Sequence, residues 1–259
     1  MPPRRGRSWL SFKDRRPIAL VTAGPRSHAQ SWELRQVLID QGAEERLPAL
    51  LESVSRMAAA RGAKRVFLRL VRDDPAVNDA RQSGFFPCFR ETLFKGTPLR
   101  QTDGSRGSLR KKEARHDYDL FRLYNATTPA DVRTTVGMTF DAWQASAERP
   151  RGRSTEYVLE SSGQVVGWVR YVHRSSTGTL SAVFHPSAEE GTASALEFAL
   201  GRLSGASIVY CLVPEYQTAL GRVLTDYRFD AVCEFETLVG STVVRAEQKA
   251  RTKVTVTST

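Results

Sequence analysis

Apolar and polar positions alternate in short runs along most of the chain, and at intervals the repeat lengthens to that of a helix. Trp9 to Phe12 and Pro17 to Thr22 are apolar runs separated by Lys13-Asp14-Arg15-Arg16, which predicts a hairpin. Trp32 to Ile39 predicts a third strand. Leu47, Leu50, Leu51, Val54, Met57 and Ala58 recur at helical spacing, with Gly62 as the expected C-terminal stop. Val66, Leu68 and Leu70 alternate with Phe67, Arg69 and Val71, predicting a strand buried on at least one face. Pro75 to Ser83 predicts a short helix closed by Gly84-Phe85, and Cys88 to Phe94 a last strand.

The stretch from Gly96 to Arg115 is rich in Gly, Ser, Thr and charge and shows neither period, so it reads as an inter-domain loop. Beyond it, Tyr118 to Tyr124 predicts a strand, Thr128-Pro129 the start of a helix, and the surroundings of Trp143 another short helix. Tyr157 to Leu159 and Val165 to Val172 flank Ser161-Ser162-Gly163 as a hairpin, and Leu180 to Phe184 follows as a strand. A helix from about Ala188 to Leu203 carries Leu196, Ala199, Leu200 and Leu203 on one face. Ile208 to Val213 predicts a strand, Tyr216 to Tyr227 a helix and Ala231 to Val239 a final strand.

Both halves thus read hairpin, strand, helix, strand, helix, strand. Their ends agree in letters too: Cys88, Glu91, Thr92 and Leu93 precede Cys233, Glu236, Thr237 and Leu238 by one constant offset, which suggests duplication. The expected organisation is a truncated domain over 1–95, a basic linker over 96–116, a fuller domain over 117–245 and a polar tail over 246–259.

Composition narrows the function classes. With 259 residues, 41% of them apolar and 25% charged, wholesale disorder is excluded and about two domains are expected. No apolar run is long enough to span a membrane, and the first residues lack the apolar core of a secretory signal, so a cytoplasmic location is expected. Cys88, Cys211 and Cys233, and His28, His116, His173 and His185, are scattered, so neither a disulfide framework nor a metal site is expected. The net charge of +10 sits in residues 1–16 and 95–116. A tail and a linker offer at most weak, salt-sensitive nonspecific contact with nucleic acid.

The order of elements resembles the GNAT superfamily of N-acetyltransferases in tandem. Phe184-His185-Pro186 ends a strand where the family often has Val-His-Pro. Ala195-Leu196 and Ala49-Leu50-Leu51 lie early in the two long helices, Gly62 to Leu68 resembles the family's helix-Gly-strand step, and Ala80 to Phe85 resembles its helix closing in Gly-Phe. The resemblance implies an α+β fold: two tandem GNAT-like domains, each a mixed, mostly antiparallel sheet flanked by helices and splayed near its middle. It implies acetyl-CoA as co-substrate, no metal, and a small-molecule or peptide amine as acceptor. Helix-start amides would cradle the pyrophosphate, a base would deprotonate the amine, and a tyrosine would protonate the leaving thiolate.

Carried over residue by residue, Phe184, His185, Gly191, Thr192, Ala193 and Ser194 are the expected cofactor-binding positions. Gly191 and Ala193 match the phosphate-loop pattern, but Ala188 stands where the family has Gln or Arg. Ser187-Ala188-Glu189-Glu190 also reads as a capping box, which would occupy the same amides. The family's tyrosine position falls on Ala80 and on Leu224, leaving Tyr216 and Tyr227 as substitutes, and Glu33 is the candidate base. Two functions follow: acyl-CoA-dependent transfer to an amine by the second half, or a non-catalytic binding or scaffold protein that keeps the architecture without the phosphate loop.

Overall fold

The structure is a computed structural model and describes residues 6–99, 108–150 and 152–242. The first half contains β1 (Arg7–Lys13), β2 (Arg16–Pro25), β3 (Ser31–Ile39), α1 (Leu47–Ala60), β4 (Arg65–Val71), α2 (Ala76–Gln82) and β5 (Phe85–Gly96). The second contains β6 (Leu109–Lys111), α3 (Asp117–Thr127), α4 (Ala130–Val136), α5 (Phe140–Ser146), β7 (Ser154–Ser161), β8 (Gln164–Arg174), β9 (Thr177–Phe184), α6 (Glu189–Gly201), β10 (Ile208–Pro214), α7 (Thr218–Asp226) and β11 (Asp230–Ser241).

All eleven strands form one sheet in the order β1-β2-β3-β4-β11-β5-β10-β9-β8-β7-β6. The expectation of a separate sheet for each domain is therefore corrected. The last strand of each half crosses over: β11 pairs with β4, and β5 pairs with β10, while β5 and β11 run antiparallel beside each other. The matching letters of the two halves meet at this seam, where Cys233 faces Leu93 and Leu238 faces Pro87. Two aromatic-on-glycine contacts hold the crossing. Phe229 sits so close over Gly96 that an added Cβ would be 2.5 Å from its ring, and Phe85 lies similarly over Gly240 at 3.0 Å.

Packing follows the sequence periods. α1 buries Leu47, Leu50, Leu51, Val54 and Ala58 in a first core that also takes Leu238 from β11. α6 buries Leu196, Ala199 and Leu200, and the turn after it Leu203, in a second core that Phe94 of β5 packs against. Each half thus fills the other's core. Gly84 ends α2 in the left-handed region (φ +84°), and Arg228 takes the corresponding place after α7 (φ +60°), where Cβ makes that conformation costly.

Two parallel pairs, β3 with β4 and β9 with β10, are short. β9 and β10 pair only from Thr177–Ile208 to Leu180–Cys211 and then part. On one side of this splay Val169 and Ala182 belong to the α6 core; on the other Trp168 and Val183 pack against the cluster of α3.

Residues 118–124 are helical, not extended. Leu120, Phe121 and Leu123 are the buried positions of α3, a helical spacing that the alternation of Tyr118 and Leu120 with Asp117 and Asp119 obscures. Within the expected loop, Leu109 is buried and pairs with Leu159, adding a three-residue edge strand. Residues 1–5, 100–107, 151 and everything from 243 lie outside the described residues, which takes in the middle of the basic linker and the whole polar tail. Among the described residues, no helix is long and apolar enough to cross a membrane.

Candidate active site

A cavity of about 470 Å³ opens where β9 and β10 part, on the α3 side of the sheet. Its volume lies within the range of small-molecule sites. The strand period that sends Val169 toward α6 sends Trp168, Arg170 and Val183 into this cavity. α3 contributes Leu120, Leu123 and Tyr124, and α5 contributes Trp143. Tyr124 and Trp143 are neighbours within an aromatic group that includes Phe121 and Phe140. Tyr216 and Gln217, from the turn between β10 and α7, form the wall at the splay, while Ser27 and His28 of the first half line the cavity too.

The crossing of β5 positions that wall. The Tyr216 ring stands edge-on to Phe89 of β5 at 5.9 Å. The neighbouring Glu215 accepts the Arg90 amide at 3.1 Å through its side chain and donates its own amide to the Arg90 carbonyl at 3.0 Å. Burial pushes the Tyr216 hydroxyl pKa up, despite its hydrogen bond with Thr128, so at neutral pH the phenol keeps its proton.

Charge in the cavity is organised around Glu148. Its Oε1 accepts from Arg69 at 2.6 Å and from Arg26 at 3.2 Å. Arg69 also reaches Glu91 at 2.6 Å, and Thr237 of β11 donates to the same carboxylate at 2.6 Å. Arg26 lies 3.8 Å from the centre of the Phe67 ring and donates to the Ser146 carbonyl at 2.9 Å. The segment 146–149 of the second half is thereby clamped to β4 and to the turn after β2, with Glu91 of β5 and Thr237 of β11 behind Arg69. Ser27 adds its amide and hydroxyl to the Ala147 carbonyl, and Arg149 donates to the Ser27 carbonyl at 2.6 Å.

Enclosure by itself would raise the Glu148 pKa, but Arg69, Arg26 and Arg170 outweigh it and hold the carboxyl at about 2. The side chain keeps 39% of its surface because it opens into the cavity. A carboxyl depressed in the folded state stabilises fully above its unfolded pKa, near 4.5, and loses that contribution as pH falls toward 2. Denaturant unfolding is expected to show stability declining across pH 4.5 to 2, with a shallower decline in Glu148→Gln. Equal slopes would show that the clamp carries no such linkage.

Glu156 on β7 lines the same cavity. Its Oε2 accepts the Trp168 indole N–H at 3.0 Å, and its Oε1 has no hydrogen-bond partner among the described residues. Among the described residues, no group of three His, Cys, Asp or Glu side chains converges as a metal site would require.

The residues singled out in the sequence are spread apart. Tyr216 lies in the cavity. Tyr227 lies outside it, donating to Glu197 at 2.8 Å, with its hydroxyl pushed up to about 12 by desolvation and that carboxylate. Glu33 is not a cavity carboxylate; it is paired with Arg26 at 3.4 Å and Arg35 at 3.3 Å. His185 is half-buried, its Nδ1 shared with the Ser187 hydroxyl at 2.7 Å and the Ser187 amide at 3.2 Å. Ser187 therefore does not cap α6, whose cap position is Ala188; that half of the expected capping box is corrected.

Gly191 is packed against β7: an added Cβ would be 2.7 Å from Leu159, so the glycine lets α6 approach the sheet. Thr192 is buried and donates to the Ala188 carbonyl at 2.9 Å, and Ala193 and Ser194 continue the helix. Phe184 is buried in the second core, and its amide is accepted by Gln217 Oε1 at 3.4 Å. Sequence reasoning missed Glu156, Arg170 and Glu148. The opposite-charge alternation along β7 and β8 was the available signal, but only the fold turns it toward a cavity.

No family profile matches the sequence, and no curated protein matches it. Solved structures do match in shape. A tandem GNAT protein from the clavulanic acid biosynthesis pathway aligns with a TM-score of 0.55 at 14% identity, over 93% of this chain and 84% of that one. A GCN5-related N-acetyltransferase from Sphaerobacter thermophilus aligns at 0.54 with 13% identity, over 88% and 78% of the two chains. Saccharomyces cerevisiae N-myristoyltransferase with bound myristoyl-CoA and inhibitors aligns at 0.52 with 11% identity, over 88% of this chain and 66% of the other. At such identities the likeness concerns architecture, and on architecture the several matches agree: this chain has the GNAT fold.

Proposed function

We propose that the chain is two GNAT repeats, 1–95 and 117–245, and that the second transfers an acyl group from acyl-CoA to an amine held in the cavity. The observation that carries this reading is the place of the cavity: it meets the sheet at the parting of β9 and β10, beside a protonated tyrosine. On the opposite side of the parting, α6 begins. Its cap residue Ala188 has no side-chain oxygen, and the Ser187 hydroxyl is engaged by His185, so neither competes with an anion for the first-turn amides. Neither residue closes the first-turn amides to a pyrophosphate, which has to tolerate Glu189 and Glu190, the first two residues of the helix.

Bound acyl-CoA would supply an acyl group activated as a thioester; the chain's residues do the rest. Trp168, Trp143 and Val183 shield the acceptor amine from bulk water. The amine's proton leaves through cavity water, since Glu148 is held by arginines at a pKa too low for a useful base. As nitrogen bonds to the carbonyl carbon and the carbon–sulfur bond breaks, Tyr216 gives its phenolic proton to the sulfur.

One observation favours a non-catalytic binding protein instead. Gln217 Oε1 already accepts the Phe184 amide, a donor at the inner edge of the splay. The two readings separate in calorimetry with acetyl-CoA on the wild type and on Ser187→Asp. An added carboxylate at the start of α6 favours the helix by ~0.3–1 kcal/mol through its dipole but repels a phosphate. Acetyl-CoA is expected to bind the wild type and to bind Ser187→Asp about tenfold more weakly, without loss of melting temperature. Absence of heat in the wild type, or equal affinity in both, would overturn the transferase reading.

A further inference from the structure

Glu156 and Arg170 are direct cross-strand partners on β7 and β8, and both line the cavity. Opposite charges in that register ordinarily close on each other. Here each is drawn to another group. Glu156 Oε2 is taken by the Trp168 indole at 3.0 Å, and Arg170 Nη1 donates to the Glu148 backbone carbonyl at 3.2 Å. Among the described residues no ion pair joins them. The cavity floor therefore carries an anion and a cation side by side, each with hydrogen-bonding capacity left over. Burial lowers the Arg170 pKa, and the nearby Glu156 and Glu148 carboxylates offset that only in part.

From this pair we infer that the acceptor is a free amino acid with a terminal side-chain amine, of the lysine type, its zwitterionic head read by Glu156 and Arg170. The inference rests on the acyl-transfer reading above. The α-ammonium meets Glu156 Oε1 and the α-carboxylate meets the guanidinium of Arg170, which suits a planar carboxylate. Trp168 and Val183 face each other across β8 and β9, one pair further toward the splay. They offer an apolar strip along which an aliphatic side chain lies.

Arg170 and Val183 are one strand and two residues apart, on the order of 8 Å between their backbones. The four-carbon stem of a lysine covers a comparable span. The terminal amine then arrives where β9 and β10 part, beside Tyr216. Transfer there balances: the ammonium gives one proton to cavity water, the neutral nitrogen bonds to the acyl carbon as the carbon–sulfur bond breaks, Tyr216 gives its proton to the departing sulfur, and the second nitrogen proton passes through cavity water to the Tyr216 phenolate, so the only proton released is that of the original ammonium. The products are the ω-acylated amino acid and free CoA.

The test is calorimetry of the intact chain without acyl donor, using L-lysine, cadaverine, which lacks the carboxylate, and 6-aminohexanoate, which lacks the α-ammonium. Lysine is expected to bind about tenfold to a hundredfold more tightly than either. Arg170→Met should erase the gap between lysine and cadaverine, and Glu156→Gln the gap between lysine and 6-aminohexanoate, with Arg170→Lys partly restoring the first. Circular dichroism and melting temperature check that each variant is folded. Cadaverine binding as tightly as lysine, no binding by any of the three, or an equal loss for all three in Arg170→Met would overturn the inference. The lysine pattern without acetyl-CoA binding would refute transfer and leave head-group recognition standing. Acetyl-CoA binding without the lysine pattern would do the reverse.

Discussion

Residues 1–97 and 98–259, expressed apart, are expected to give no cooperatively folded product, whereas the two expressed together should co-purify as one complex. The reason is the crossing of the last strands. Without the first half, β11 has no β4 or β5 to pair with, and β10 loses β5. Leu238 (fully buried) and Val239 (6% exposed) would be uncovered. Re-exposing side chains of this size costs ~1.5–3 kcal/mol each, before counting the unpaired backbone of two strands. Domain stabilities are only ~5–15 kcal/mol. Without the second half, β5 loses both of its neighbours. A monomeric, cooperatively melting 98–259 would refute this, because it would require β11 to fold back on its own half.

Tyr216→Phe is expected to lower acyl transfer by about a hundredfold to ten-thousandfold, the usual worth of a positioned proton donor, with little change in acceptor affinity. The substitution keeps the ring against Phe89 and removes only the hydroxyl that Thr128 orients. Release of free thiol from acetyl-CoA, followed with a panel of primary amines and amino acids, measures it. Tyr227→Phe serves as the control, because its hydroxyl is spent on Glu197 outside the cavity. An unchanged rate in Tyr216→Phe, or an equal loss in Tyr227→Phe, would remove Tyr216 from the chemistry.

The contrast between these two tyrosines shows how far the sequence reaches. Both stand near the same predicted helix, and pattern alone gives no reason to prefer either. Tyr216 precedes the helix proper, in a turn that β5 of the other half pulls against the splay. Tyr227 follows it and turns away. Glu33 misleads for a similar reason: it occupies a middle strand, but Arg26 and Arg35 lie within ion-pair distance and claim it. Gly191 matches a motif by letter, yet its lack of a side chain serves contact with Leu159.

The order of elements, the helical faces of α1 and α6, and the doubling of the plan were legible because each depends on periods of a few residues. Even the helix misread at 118–124 failed locally, where aromatic residues satisfy two periods at once. What the sequence by itself determined is therefore a pair of similar half-sheets with their apolar faces marked. Which strand closes which half, and which charges share a cavity, only the tertiary structure decided. Strand partners and buried ion pairs are chosen among residues far apart in the chain, such as Arg26 with Glu148 and Glu91 with Thr237, and no local repeat encodes that choice.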